Sequence, residues 1–282
     1  MNRLIVLFFI LIFAQTVFTV EAQNNFSDAF SRMDSAFDSF QDDFFTRDIY
    51  FLGRAAAAHL LGLYPLYTEK PATTEYLNLI CNALVINSPL PNSYAGFHVM
   101  ILDTPVINAF ATPGGHIFLT RGILELAASE DMLAAIIAHE IAHVQLKHGM
   151  AVISHSNLVQ NLNQESQQIN ESLNRETSKK LFTAAVDEFL ETLIVGGYSQ
   201  LQEFEADSTA FTMLVSAGYY PGSFIDMLRL LERTQGDHTG SLNSTHPQPA
   251  HRISNLQRQM NSYRAADNSS IRKARFSRIM GR

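Results

Sequence analysis

The sequence predicts an α+β fold that is mainly helical, and three features support this prediction. Residues 129–149 have the end signals and the apolar interior of one long helix. Several segments after residue 180 have the amphipathic periodicity of helices. Between residues 97 and 120, two short aliphatic segments flank a Pro-Gly-Gly turn, which is typical of a small sheet. We therefore expect a long helix packed on a small β-sheet.

The other elements follow from the apolar runs and the turn residues between them. Helices are expected at residues 44–63, 74–84, 181–195, 199–217 and 223–233, strands at 97–102 and after the turn at 113–115, and a polar loop at 237–244. Residues 154–180 are rich in Asn and Gln, and they fit a polar helix, a lid or a mobile segment equally well.

The composition fits a globular protein and excludes several functional classes. The 282 residues include 20 Lys and Arg and 27 Asp and Glu, which gives a net charge of −7. An acidic balance is unlike that of a general nucleic-acid binder, so no nucleic-acid partner is expected. The single cysteine, Cys81, excludes an intrachain disulfide framework and a Cys-rich zinc module.

The first 22 residues have the pattern of a secretory signal peptide. Arg3 provides a positive charge, residues 4–14 are uninterruptedly apolar, and Val20 and Ala22 are small residues suited to cleavage after position 22. An uncleaved anchor is disfavoured because this apolar run is too short for a bilayer core of about 30 Å. The expected organisation is a signal peptide at residues 1–22, one domain at 23–265 and a basic tail at 266–282.

The long helix has signals at both ends. Ser129 is a suitable N-cap, and the acidic pair at 130–131 complements the helix dipole in the first turn. At the other end, Lys147 and His148 are predicted to lie in the last turn, followed by Gly149 as the residue that ends the helix.

The segment HEIAH at residues 139–143 lies inside this helix. Two histidines four positions apart differ by about 40° in direction and about 6 Å along the axis, so both imidazoles can reach one Zn²⁺. Glu140 lies beside them, where it can take a proton from a water at the metal. Burying these polar groups without partners would cost several kcal/mol, which favours a metal site over chance.

A catalytic zinc site needs a third protein ligand, and two carboxylates are candidates. Glu165 lies in the polar segment, and Glu203 lies on a later amphipathic helix. Glu203 is favoured because small neighbours allow close helix packing and because Asp207, one turn on, can accept the second N–H of a ligand imidazole. His148 follows His139 by nine positions, which predicts the opposite helix face and favours a surface or helix-end role.

Four motifs together resemble family 48 of the metallopeptidases. They are INAFATPGGHI at 107–117, HEIAHVQLKH at 139–148, EFEAD at 203–207 and HPQPAHRI at 246–253. The resemblance covers residues 45–265 and is greatest to the soluble, periplasmic BepA-like branch of the family. The 282 residues include no array of helical repeats like the one at the C-terminus of that branch, so docking of partners through such repeats is not expected.

The resemblance implies a gluzincin-type metallopeptidase domain at residues 23–265, in which the active-site helix packs on the sheet. It implies one Zn²⁺ per chain, held by His139, His143 and Glu203. It also implies that Glu140 is the general base that activates a zinc-bound water and that Asp207 supports a zinc ligand.

The same resemblance implies further residues around the cleft. His246 matches a histidine that can approach the zinc as a fourth ligand and hold the enzyme latent; an ordinary loop histidine is the equally weighted alternative. Arg252 matches an arginine that steadies either Glu203 or the oxyanion, and the sequence does not choose between them. An edge strand that borders the cleft and can pair with an extended peptide is implied at Asn108, Ala109, Phe110 and Ala111.

The predicted function is a zinc-dependent endopeptidase that hydrolyses misfolded or misassembled envelope proteins, in the periplasm or, alternatively, after secretion. A chaperone-like module that binds peptides during outer-membrane protein assembly, with little proteolysis, is the alternative. Glu140 favours the enzyme, because a pure binding module has no need of a general base. For the basic tail, peripheral membrane contact is one expectation, and a disordered or packed terminal helix is the favoured one.

Overall fold

A computed structural model describes residues 47, 49–90, 93–150, 183, 186–187, 189–191, 196–234, 242–246, 249–263 and 269–281. All of them except Arg47 belong to one compact unit, Ile49–Arg282. The expected signal peptide, the polar segment 154–180 and Glu165 lie outside the described residues. Among the residues described, no helix has both the length and the apolar character needed to cross a membrane.

The unit is mainly helical with one small sheet, which confirms the predicted fold class. The strands are β1 (His98–Leu102), β2 (Ala109–Thr112) and β3 (His116–Thr120). The helices are α1 (49–63), α2 (Pro71–Ile86), α3 (Arg121–Leu126), α4 (Glu130–Gln145), α5 (Gln200–Ser216), α6 (Gly222–Arg233), α7 (Leu242–Thr245), α8 (Pro249–Met260) and α9 (Ser269–Met280). Helix α7 overlaps the end of the loop predicted at 237–244, so that part of the loop prediction is wrong.

The three strands lie in the order β1-β3-β2. Strand β3 pairs parallel with β1 and antiparallel with β2, so β2 lies at an edge of the described sheet. The turn between β2 and β3 contains Gly114 and Gly115, whose φ angles of 84° and 99° favour glycine. Asn108 precedes β2, and its side-chain oxygen accepts hydrogen bonds from the Ala109 amide at 2.8 Å and from Thr245 at 3.3 Å.

Helix α4 is the central element, because it contacts the sheet and the helices α2, α5, α6 and α9. Its apolar side chains Leu133, Ile137 and Ile141 are fully buried in the main core. Helix α5 brings the fully buried Ala206 and Ala210 to the same core. These small residues allow the two helices to approach closely, as the sequence predicts for the pair.

The N-terminal end of α4 begins as predicted, since the Ser129 hydroxyl accepts a hydrogen bond from the Met132 amide at 3.1 Å. The acidic pair after it does more than complement the helix dipole. Glu130 and Asp131 are buried and lie against two arginines of α9. The C-terminal basic segment is therefore a packed helix over its described residues.

The C-terminal end of α4 differs from the prediction. The helix ends at Gln145, and Lys147 has a φ of 56°, the left-handed conformation that reverses the chain after a helix. The prediction that Lys147 and His148 lie in the last turn and that Gly149 ends the helix is thus wrong, because the reversal occurs two residues earlier. Gly149 is instead required for packing, since a Cβ there would lie 2.5 Å from the ring of Phe189.

Candidate metal centre

Four side chains of the types that can ligate a metal converge beside α4. His139 and His143 come from α4, Glu203 from the first turn of α5, and His246 directly follows α7. One donor atom from each lies within 4.8 Å of the others. All four residues are buried, with at most 4% of their surface exposed. The fold therefore brings together the predicted ligands and the predicted fourth histidine.

The distances between the donor atoms fit a metal ion. His139 Nε2 lies 3.0 Å from His143 Nε2 and 3.2 Å from His246 Nδ1. Glu203 Oε1 lies 3.4 Å from His143 Nε2 and 2.9 Å from His246 Nδ1. Ligands about 2.0–2.1 Å from a tetrahedral zinc are about 3.3–3.4 Å apart, so the donor set could hold Zn²⁺ with small adjustments.

Glu140 lies at the edge of this cluster. The residue is 1% exposed, and its Oε1 atom has no hydrogen-bond partner among the described residues. His246 Nε2 lies 3.6 Å from that oxygen, beyond hydrogen-bonding distance. Burial raises the pKa of Glu140, against the opposing charges of His246 and His139. An unpaired buried carboxylate oxygen is costly and is typical of a position that binds a ligand or a reacting group.

Arg252 organises the carboxylates behind the cluster. Its guanidinium donates to Asp207 through Nε at 2.9 Å and Nη2 at 2.6 Å, and Nη1 lies 2.7 Å from Glu203 Oε2. Asp207 Oδ1 lies 3.1 Å from His139 Nδ1, the ring nitrogen that faces away from the cluster. The sequence left two roles open for Arg252, at Glu203 or at the oxyanion. In the structure Arg252 lies beside Glu203.

These contacts determine the charges of the buried groups. Burial opposes ionisation of Glu203 and Asp207, but Arg252 and the neighbouring histidines together outweigh it and lower the pKa of both carboxyls. Burial and Arg252 disfavour protonated His139, but its hydrogen bonds to Asp207 and Glu203 raise its pKa to about 9. Burial and the charge of His139 lower the pKa of His143. A metal ion would therefore replace a proton on His139.

Two neighbours of His143 were not identified from the sequence. His148 is 4% exposed, and its Nδ1 lies 2.9 Å from His143 Nδ1, so its predicted position on the opposite helix face is wrong. The ring of Tyr198 stacks on that of His143, with 4.0 Å between centroids and 17° between planes. Tyr198 has no local sequence signal, whereas His148 could have been found had the end of α4 been placed correctly.

The edge strand meets this cluster at a small cavity. The wall of this cavity includes Ala111 of β2, Pro113 of the turn, His143, Phe189 and Tyr198. Ala111 of strand β2 and His143 of the donor cluster thus line the same cavity.

Comparison with known proteins gives the family. Peptidase family M48 matches residues 71–260, a range that includes α2 and α8 and every residue of the cluster. The chain belongs to peptidase family M48. The family predicted from the four motifs is therefore confirmed, and its class of enzyme, the metallopeptidases, is the predicted class.

Several curated relatives are also similar to this family M48 chain. The beta-barrel assembly-enhancing protease of Yersinia pestis is 27% identical over 218 residues, which cover 75% of this chain and 44% of the relative. The mitochondrial metalloendopeptidase OMA1 of Schizosaccharomyces pombe is 26% identical over 66% of this chain and 52% of the relative. The metalloprotease LoiP of Escherichia coli is 29% identical, with 69% and 75% covered. The chain spans about half the length of the first two.

Proposed function

We propose that this chain is a zinc-dependent endopeptidase. His139, His143 and Glu203 would hold one Zn²⁺, and Glu140 would act as the general base. The observation that carries the proposal is the convergence of the buried donor atoms at separations of 2.9–3.4 Å next to a carboxylate oxygen without a hydrogen-bond partner. Membership of family M48 supports the same conclusion.

The chain's own residues can carry out the proton transfers of peptide hydrolysis. Bound zinc supplies a Lewis acid that polarises the scissile carbonyl and lowers the pKa of water toward about 7. Glu140 accepts the proton of the attacking water on its unpaired Oε1 and returns that proton to the leaving amine. Arg252 keeps Glu203 and Asp207 ionised, so that both remain acceptors for the metal and for His139.

We propose that substrates bind as an extended strand along β2. An edge strand has main-chain N–H and C=O groups that can pair with a peptide, which would present the peptide to the cleft. Ala109, Phe110 and Ala111 would contribute this pairing edge, and Ala111 also lines the cavity at His143. Recognition of main-chain atoms suits a protease for unfolded chains, because such pairing does not depend on the identity of the substrate's side chains.

We further propose that His246 holds the enzyme latent. Its Nδ1 lies among the donor atoms of the other three residues, where a fourth protein ligand would occupy the position that water needs. Displacement of His246 would then open the site.

The biological setting is a proposal based on the sequence and on the relatives. The signal-like residues 1–22 support export, with the periplasm as the expected compartment, and misfolded or misassembled envelope proteins as substrates. Two relatives are named as proteases, one of them for beta-barrel assembly. Among the described residues, the outward-facing basic side chains of α9, such as Lys273 and Arg278, would serve peripheral membrane contact.

The decisive experiment is Glu140→Gln. We expect the variant to fold and bind zinc like the wild type but to lose cleavage of casein, because the amide cannot accept the proton. Zinc content, circular dichroism and casein cleavage measure these outcomes, and chelation followed by zinc addition is the control for the wild type. Equal cleavage by the variant would refute the proposed mechanism. Casein binding without cleavage by the wild type would favour the chaperone-like alternative.

A further inference from the structure

The two histidines of the HEIAH segment are supported in different ways. The Nδ1 atom of His139 lies 3.1 Å from Oδ1 of Asp207, which forms an ion pair with Arg252. The Nδ1 atom of His143 instead lies 2.9 Å from Nδ1 of His148, and no carboxylate of the described residues takes that place. His148 Nε2 in turn lies 3.2 Å from Glu205 Oε2. A chain of three side chains thus runs from the candidate metal centre to the protein surface.

The direction of the hydrogen bonds in this chain is determined by its two ends. His143 Nε2 faces the donor cluster and must be free of hydrogen to bind a metal, so the hydrogen of the neutral ring is on Nδ1. That N–H donates to His148 Nδ1. His148 then has its own hydrogen on Nε2, which donates to the Glu205 carboxylate. The arrangement selects one tautomer for both rings.

The backbone after α4 places His148 for this contact. Lys147 adopts a left-handed conformation with φ of 56°, which costs about 1 kcal/mol for a residue other than glycine. The reversal turns His148 back over His143, with 4.9 Å between ring centroids, instead of continuing the helix. His148 is buried, whereas the Glu205 side chain is 51% exposed, so only the inner members of the chain are enclosed by protein.

We propose that His148 is a positioning residue for zinc binding, which keeps His143 Nε2 available to the metal, and that Glu205 orients His148. This inference rests on the proposed zinc site and adds to it a second support, separate from Asp207. Partners of this kind typically contribute about 10- to 100-fold to metal affinity.

The test compares zinc affinities of the full chain and its variants. The wild type, His148→Leu, His148→Asn and Glu205→Gln are titrated with zinc against a chromophoric chelator. The Asn side-chain oxygen lies close to the position of His Nδ1 and can accept the same hydrogen bond, whereas Leu fills the space without an acceptor. Glu232→Gln, at an exposed position on α6, is the matched control for Glu205→Gln.

We expect zinc to bind about 10- to 100-fold more weakly to His148→Leu, with most of the affinity restored in His148→Asn. Glu205→Gln should weaken binding by a smaller factor, and Glu232→Gln should not change it. The visible spectrum of bound Co²⁺ should change in His148→Leu and return toward that of the wild type in His148→Asn, which mere loss of packing would not produce.

Two results separate the inference from the proposed function. Wild-type zinc affinity in a folded His148→Leu variant, or equal weakening by Leu and Asn, would overturn the inference alone. A wild-type chain that binds no zinc would overturn the proposed function and the inference with it. If His148→Leu does not fold, Glu205→Leu decides, because leucine removes the acceptor for His148 Nε2. An effect no larger than that of the matched control Glu232→Leu contradicts the chain of hydrogen bonds.

Discussion

The two ends of helix α4 both bury charged residues, but they treat them differently. At the N-terminal end, Glu130 accepts hydrogen bonds from Tyr76 and from Arg275, each at 2.7 Å. Asp131 accepts from Arg272 at 3.0 Å and from the Tyr220 amide at 2.8 Å. At the other end, three imidazoles and Glu203 crowd within hydrogen-bonding distance, and Glu140 Oε1 has no hydrogen-bond partner among the described residues.

The two ends of helix α4 thus have different roles: the N-terminal end stabilises the fold, and the C-terminal end carries the proposed function. At the N-terminal end the buried carboxylates have partners within the fold, and removing a partner of such a pair is destabilising. Crowded donor atoms and an unpaired carboxylate oxygen are unfavourable by themselves. Such a cluster persists where the free energy of binding a ligand offsets this cost. We therefore expect α9, α2 and the turn before α6 to stabilise the helix on which the candidate metal centre is built.

The largest expected effect comes from the metal at the C-terminal end. Zinc in about 1,000-fold excess over its dissociation constant should raise the free energy of unfolding by about 4 kcal/mol, because it binds only the folded chain. Urea unfolding of the metal-free protein with and without zinc measures the increase. An unfolding curve that zinc leaves unchanged would mean that the crowded end of the helix is not a metal site.

The next largest effect is expected at the N-terminal end of α4, where the buried carboxylates are paired with arginines. Arg275→Ala should lower the free energy of unfolding by about 2–3 kcal/mol, because the buried Glu130 loses its counter-charge. Partial exposure of the Arg275 side chain keeps this loss below that for a fully buried ion pair. The zinc-dependent increase should stay the same, because Glu130 and His139 are about 14 Å apart along the helix.

Arg278→Ala, at an exposed position on the same helix α9, is the control, and it should change stability by less than about 0.5 kcal/mol. A loss of zinc affinity in Arg275→Ala would show that the two ends are coupled, and the contrast between them would then be wrong.

The smallest expected effect tests the surplus histidine at the metal end. His246→Ala removes the fourth donor, so we expect basal cleavage of casein to rise several-fold while zinc stays bound by the other three residues. His251→Ala, which changes an exposed histidine on α8, should leave cleavage unchanged. Equal or lower activity in His246→Ala would discard latency through this residue.

Much of the site was predictable because it depends on short-range periodicity. The spacing of His139 and His143 fixes both imidazoles on one face of a helix whatever the rest of the chain does. Ser129 and Ser199 cap α4 and α5 through their own hydroxyls, so the starts of both helices were predictable as well. The same periodicity puts Glu203 and Asp207 one turn apart on α5.

The sequence alone therefore determined the fold class, the family and the two helices whose side chains face each other at the candidate metal centre. Tertiary structure decided which groups support them. Arg252 lies 45 positions from Asp207 and Arg275 lies 145 from Glu130, distances over which no local pattern specifies a contact. The position of His148 beside His143 was missed because of a local backbone feature. One left-handed residue, Lys147, redirects the chain, and the packing of the surrounding elements has to support that conformation.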